Sequence, residues 1–114
     1  MPCLRRTYNQ CEVLLATAIE NESVTKDMCM QFLEVSDEMY RATNFRNILA
    51  RAAARQHLAM FYATEGNREL TIKTFQDLLS ELNAATEQYG HNPDWDEYIE
   101  GVSETLKDIQ SLQS

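Results

Sequence analysis

An all-α domain is the fold class this sequence predicts, and three observations predict it. Glycine (3) and proline (2) are scarce among 114 residues. That is too few breakers for a β-sandwich or barrel, which turns every few residues, or for a glycine-rich phosphate-binding fold. Apolar side chains form 44% of the chain, enough for one core, and they recur at three- and four-residue spacing. The stretches between are short and carry capping residues, and short links make antiparallel neighbours. The expected architecture is one helical domain over residues 1–114, with five antiparallel helices: two helical hairpins and a C-terminal capping helix.

The first helix is expected from about Thr7 to Glu20, with Tyr8, Cys11, Leu15, Ala18 and Ile19 on one face and Leu4 a turn upstream. Asn21-Glu22-Ser23 breaks it. The second runs from about Thr25 to Ala42, with Ser23 or Thr25 placed to accept from its free amides. Met28, Phe32, Val35 and Met39 make its stripe, and Cys29, Leu33 and Tyr40 widen it. Thr43-Asn44 reads as the N-cap pair of a third helix reaching Glu65. Its face holds Phe45, Ile48, Leu49, Ala52, Ala59, Met60 and Ala63, with Leu58, Phe61 and Tyr62 spread round it. Small residues (Ala50, Ala52, Ala53, Ala54, Ala59) allow close approach, so this helix is expected to be central and the most buried. Gly66 suits the left-handed end of a helix, and Asn67 can cap the fourth, which runs to Tyr89 with Thr71, Phe75, Leu78, Leu82, Ala85 and Tyr89 in phase. Gly90-His91-Asn92-Pro93 is the clearest break. Asp94 and Glu97 then read as a capping box for a fifth helix carrying Trp95, Tyr98, Ile99, Val102, Leu106, Ile109 and Leu112. Residues 110–114 are expected to fray.

The chain echoes itself at an offset of 43. Leu15 aligns with Leu58, Ala16 with Ala59, Ile19 with Tyr62 and Ser23 with Gly66. Met28 aligns with Thr71, Phe32 with Phe75, Val35 with Leu78 and Met39 with Leu82. Two copies of one helical hairpin follow. Leu58-Ala59, Tyr62, Gly66-Asn67, Thr71, Phe75 and Leu78 also resemble the core positions of a tetratricopeptide (TPR) repeat, best over residues 55–88. The resemblance implies a TPR-like stack rather than a plain bundle. It makes Ala59 and Thr71 the close-packing small positions, Tyr62 and Phe75 the aromatics between helices, and the last helix a cap on the final hairpin. The 43-residue spacing, the bulky Leu78 and the absence of a closing proline depart from that family's pattern.

Eighteen acids against ten bases give a net charge of −8. Such a field repels nucleic acid and anionic membrane, and attracts basic partners. It is uneven: residues 60–114 hold eleven acids and three bases, whereas residues 44–59 hold Arg46, Arg51 and Arg55 and no acid. Cys3, Cys11 and Cys29 cannot all pair and form no CxxC motif or Cys/His cluster. No signal-peptide core and no membrane-length apolar run is present. A cytoplasmic setting with reduced thiols is expected.

Catalytic signatures are missing. The sequence has no HExxH, no Glu-x-x-His, no GxSxG, no P-loop and no dinucleotide-binding glycine pattern. Glu87 and His91 are separated by the helix-ending Gly90, and His57 lies at a core edge beside Arg51 and Arg55. The cysteines lie near apolar faces and read as small hydrophobes. No enzyme, no cofactor and no metal is therefore expected.

The leading expectation is a protein-binding module (adaptor, chaperone or regulator) that uses a groove or face between helical hairpins. Its motive is the surplus apolar surface of the second and third helices, including Met28, Met30, Met39, Met60, Phe61 and Tyr62. Arg46, Arg51, Arg55 and Tyr62 are its candidate partner-binding residues, suited to an acidic peptide or terminal carboxylate. Charge reversal at Arg51 and Arg55 is expected to weaken binding and spare the fold. The alternative is an acidic inhibitor, immunity or anti-defence protein that imitates nucleic acid on a basic target, with Asp94, Asp96, Glu97, Glu100, Glu104 and Asp108 as its face. Expected partners are another protein or peptide, or a second copy of the chain; direct nucleic-acid or membrane binding is not expected.

Overall fold

Four of the five helices begin at a side chain that takes up a free amide. Thr25 Oγ1 accepts from Met28 N at 3.2 Å, Asn47 Oδ1 from Ala50 N at 3.1 Å, Asn67 Oδ1 from Leu70 N at 3.1 Å and Asn92 Oδ1 from Asp94 N at 2.9 Å. The computed structural model describes residues 3–112. It contains α1 (Leu4–Glu20), α2 (Lys26–Thr43), α3 (Ile48–Thr64), α4 (Arg68–Tyr89) and α5 (Pro93–Ser111), with no strand among the described residues. The protein is all-α.

Two expected caps are corrected. Asn44 does not open α3. It closes α2 in the left-handed conformation (φ 63°), its N–H donating to Tyr40 O at 2.8 Å. Asparagine tolerates that region, so the cap of α3 passes to Asn47 and Phe45 falls in the connection. At α5, Pro93 takes the first helical position, where its missing N–H costs nothing, and the cap is Asn92. Asp94 and Asp96 instead place negative charge in the first turn, at the positive end of the helix dipole. α5 stays helical through Ser111; the fraying expected at residues 113 and 114 lies outside the described residues.

The α1 and α3 termini close the same way. Ser23 N donates to Ala18 O and Glu22 N to Ile19 O, and likewise Asn67 N to Tyr62 O and Gly66 N to Ala63 O. This is the paired six-to-one and five-to-two closure that needs a left-handed residue. Gly66 (φ 77°) supplies it in one case and Glu22 (φ 56°) in the other. A Cβ at Gly66 would meet nothing within 4 Å, so only backbone strain opposes one. Gly66→Ala is expected to cost about 1 kcal/mol and Glu22→Gly to gain a few tenths to about 1 kcal/mol, read from urea midpoints. The closures stand 44 residues apart, but the N-caps that follow them, Thr25 and Asn67, stand 42 apart. The echo at 43 is therefore an average over two turns of different length.

The chain divides into two compact units, Met1–Leu58 and Ala59–Ser114, with the division inside α3. In the first, α1 packs on α2. Tyr8, Leu15 and Ala18 are buried on α1, and Cys29, Phe32, Ser36 and Met39 on α2. The interior face of α2 thus runs through Cys29 and Ser36 rather than Met28 and Val35, which are half-buried. Arg51 explains the rotation: it reaches in from α3 and donates to Ser36 Oγ at 2.9 Å. In the second unit, α4 packs on α5, with Thr71, Thr74, Phe75, Leu78, Leu82 and Ala85 buried on α4 and Val102 and Leu106 on α5. Arg68 Nη2 donates to Ile109 O at 2.6 Å, a cation set against the carbonyl end of α5. α3 buries Ile48, Ala52, Ala54, Leu58 and Ala59. Met60, Tyr89 and Leu112, expected on interior faces, are exposed. Met60 lies twelve residues beyond Ile48, which at 100° per residue is a third of a turn off its face.

Candidate protein-binding surfaces

A rigid corner forms in the first unit where α2 gives way to α3. Left-handed Asn44 turns the chain. The Thr43 hydroxyl donates to Met39 O at 2.8 Å and accepts from Phe45 N at 3.3 Å, pinning the segment. The Phe45 ring stands edge-on to Tyr8, centroids 5.8 Å apart at 89°. Phe32 supports Tyr8 from within, at 5.7 Å. The Tyr8 hydroxyl donates to Glu12 Oε2, which also accepts from Asn47 Nδ2 at 3.3 Å. The Arg46 guanidinium lies 4.5 Å over the Tyr40 ring, a cation–π contact. Phe45 remains 46% exposed and Tyr40 is exposed beside it. An exposed Tyr and Phe beside a half-buried Arg, each held by a neighbour, is a composition enriched at protein interfaces.

Of the four partner-binding candidates, Arg46 alone belongs to this corner. Arg51 is 4% exposed and held inside its unit by Ser36 and by Asp37 Oδ1 at 2.9 Å. Arg46 and Arg51 therefore do not form one surface stripe, and charge reversal at Arg51 is instead expected to disturb the fold. Arg55 and Tyr62 are half-buried, each with interaction partners of its own. Tyr40 and Phe45 escaped the sequence reading because periodicity assigns both to buried faces. The only signal was their nearness to Asn44, which follows Tyr40 by four residues and adjoins Phe45.

The acidic candidates fall in the second unit. Asp94, Glu97, Glu100, Glu104 and Asp108 are exposed on α5. At 100° and 1.5 Å per residue, Glu97, Glu104 and Asp108 share one line about 16 Å long. Asp96 is half-buried, with His91 Nδ1 at 3.3 Å from its carboxylate. Burial raises the Tyr98 hydroxyl above its ordinary range, and the charges of Glu97 and Asp94 add to this.

The three cysteines are free but not alike. Cys29 is buried, and desolvation pushes its thiol up to about 11. Cys11 is half-buried and raised for the same reason. Cys3 is exposed at the N-cap of α1, where hydrogen bonding from the Arg6 and Arg5 amides lowers it. Reading all three as inert small hydrophobes is therefore corrected at Cys3. With a disulfide reagent near neutral pH, Cys3 is expected to react fastest and Cys29 only on unfolding. Thiol counting over time checks this; equal rates would contradict it.

Alkaline stability follows from the same burial. Desolvation, the Glu12 hydrogen bond and the Glu12 charge raise Tyr8, against a smaller opposing effect of Arg51. Cys29 and Tyr8 are both neutral when protonated, and the folded state holds their protons more tightly. Their contribution is complete below the unfolded pKa values, near 9 for the thiol and 10 for the phenol, and is lost as pH rises through the folded ones. The urea midpoint is expected to fall from about pH 9 toward 11, and less steeply in Cys29→Ala.

Among the described residues, no group of three or more His, Cys, Asp or Glu side chains could hold a metal ion, and no helix is long and apolar enough to cross a membrane. No family model, curated protein or solved structure matches the chain.

Proposed function

We propose that the protein is a non-enzymatic protein-binding module, an adaptor or regulator, whose first unit grips a partner through the α2–α3 corner. One observation carries this: Tyr40 and Phe45 are exposed beside a half-buried Arg46, on a segment pinned by Thr43, Asn47 and Tyr8. Apolar side chains fixed before binding lose little conformational entropy on association. Arg46 adds a fork that suits a carboxylate. The partner class is a polypeptide offering an apolar residue beside an acidic one. A TPR-like packing of residues 55–88 belongs to the same proposal, supported by the burial of Ala59, Thr71, Phe75 and Leu78. So does a reducing, cytoplasmic setting, which the free cysteines favour.

Phe45→Ala with Arg46→Glu tests the corner. Partners captured from the native host by the wild-type protein are expected to bind the double variant about 30-fold more weakly. The circular dichroism melt should fall only modestly, reflecting a loss of about 1 kcal/mol from the Phe45–Tyr8 and Arg46–Tyr40 contacts. A partner held equally by both proteins would refute the assignment. Sedimentation decides whether that partner is a second copy.

The exposed line of Glu97, Glu104 and Asp108 favours a second reading, an acidic inhibitor, immunity or anti-defence protein occupying a basic site on its target. Residues 59–114 carry the whole net charge of −8, while residues 1–58 are neutral. Binding to a basic DNA-binding or nuclease-type protein over a salt series tests it. Affinity that does not fall with salt would count against a nucleic-acid mimic.

A further inference from the structure

We propose that the α4–α5 turn is a cation-binding site that takes an arginine or lysine side chain from a basic segment of a partner protein. Three features meet there. The first is aromatic. Tyr89, the last residue of α4, is 64% exposed, and its ring lies 6.2 Å from that of Trp95 in the first turn of α5, at 62°. Tyr89 is the solvent-exposed member of this edge-to-face pair and Trp95 is half-buried; the face of an aromatic ring attracts a cation.

The second feature is the end of α4. A helix C-terminus carries partial negative charge on its last carbonyls, and a cation there is stabilising. Gly90 N donates to Thr86 O at 2.8 Å, and the last turn of α4 holds no basic residue. A cation over Tyr89 would complement this end of the helix from outside.

The third is charge. Asp94 and Asp96 flank Trp95 in the sequence, and Glu87 precedes Tyr89 by two residues. His91 is the basic group of the turn, and it lies against Asp96. The surrounding unit is net −8, so a basic segment is drawn toward it. The α5 N-terminus opposes a cation, but Asp94 and Asp96 already offset that end. The site belongs to the second unit and does not depend on the α2–α3 corner.

Trp95 is the only tryptophan, so its emission reports this turn alone. A hexa-arginine peptide titrated at low salt is expected to change that emission saturably. Tyr89→Leu, a substitution at an exposed position, should weaken binding at least tenfold, and Tyr89→Phe, which keeps the ring, should bind as wild type. Glu104→Gln with Asp108→Asn, two turns and more along α5, should weaken binding less than threefold. Peptide binding without any change in Trp95 emission would overturn the proposal. So would a Tyr89→Leu variant that binds like wild type while Glu104→Gln with Asp108→Asn loses affinity, since the acidic line of α5 would then suffice. A Tyr89→Phe variant as weak as Tyr89→Leu would overturn it as well, because the ring would not be the binding element.

Discussion

Phe32→Ala is expected to lower the free energy of unfolding by about 3–5 kcal/mol. Phe32 has no exposed surface, and its ring backs Tyr8, which in turn supports Phe45. Truncation removes the apolar area of a whole ring and leaves a void that α1 and α2 can only partly close. A domain of this size is held by about 5–15 kcal/mol, so the variant should lose a large share of its stability. A urea titration measures the loss directly. Phe75, aligned with Phe32 in the internal echo, is buried on α4, and Phe75→Ala is expected to fall in the same range. A loss below about 1 kcal/mol at either position would mean that the side chain does not fill the interior it is placed in.

Helix number, order and most boundaries were readable because apolar spacing and cap residues are local signals. Thr25, Gly66, Asn67 and the Gly90–Pro93 break each act within a turn of their own position, and the structure uses all of them. The failures share a physical cause. Asn44 and Asn47 are equally good caps in isolation, and only the left-handed closure of α2 decides between them. Serine carries no hydrophobic signal, so Ser36 gives no hint that it faces inward; its burial depends on Arg51, fifteen residues away and on another helix. The surface candidates failed for the converse reason. Phe45 and Tyr89 keep helical phase with buried residues, yet each sits at or beyond a helix end, where the face it would join has run out. The acidic line of α5 was legible because a single helix sets its spacing, whereas the α2–α3 corner required the tertiary contact of Phe45 with Tyr8.

Arg51 should separate two roles that an arginine can play. If it were a surface anchor, Arg51→Glu would leave stability alone and abolish binding. Its guanidinium is instead buried, with Ser36 Oγ and Asp37 Oδ1 both at 2.9 Å. Arg51→Glu puts a carboxylate against Asp37 in a poorly solvated place, and is expected to cost about 3–5 kcal/mol near neutral pH. Arg51→Met keeps the stem and removes the charge. Asp37 is half exposed and can be rehydrated, so the loss there is expected to be only about 1–2 kcal/mol, chiefly for the unpaired Ser36 hydroxyl. Adding Ser36→Ala to Arg51→Met should recover part of it, because the orphaned group is then gone. The glutamate variant carries a further signature. A carboxyl desolvated beside another carboxylate has a raised folded-state pKa, so stability is present at low pH and lost as pH rises. Arg51→Glu should therefore regain stability on going from pH 7 to pH 5, and Arg51→Met should not. Equal, small losses in both variants, with no difference in pH response, would place Arg51 at the surface and return it to the set of partner-binding candidates.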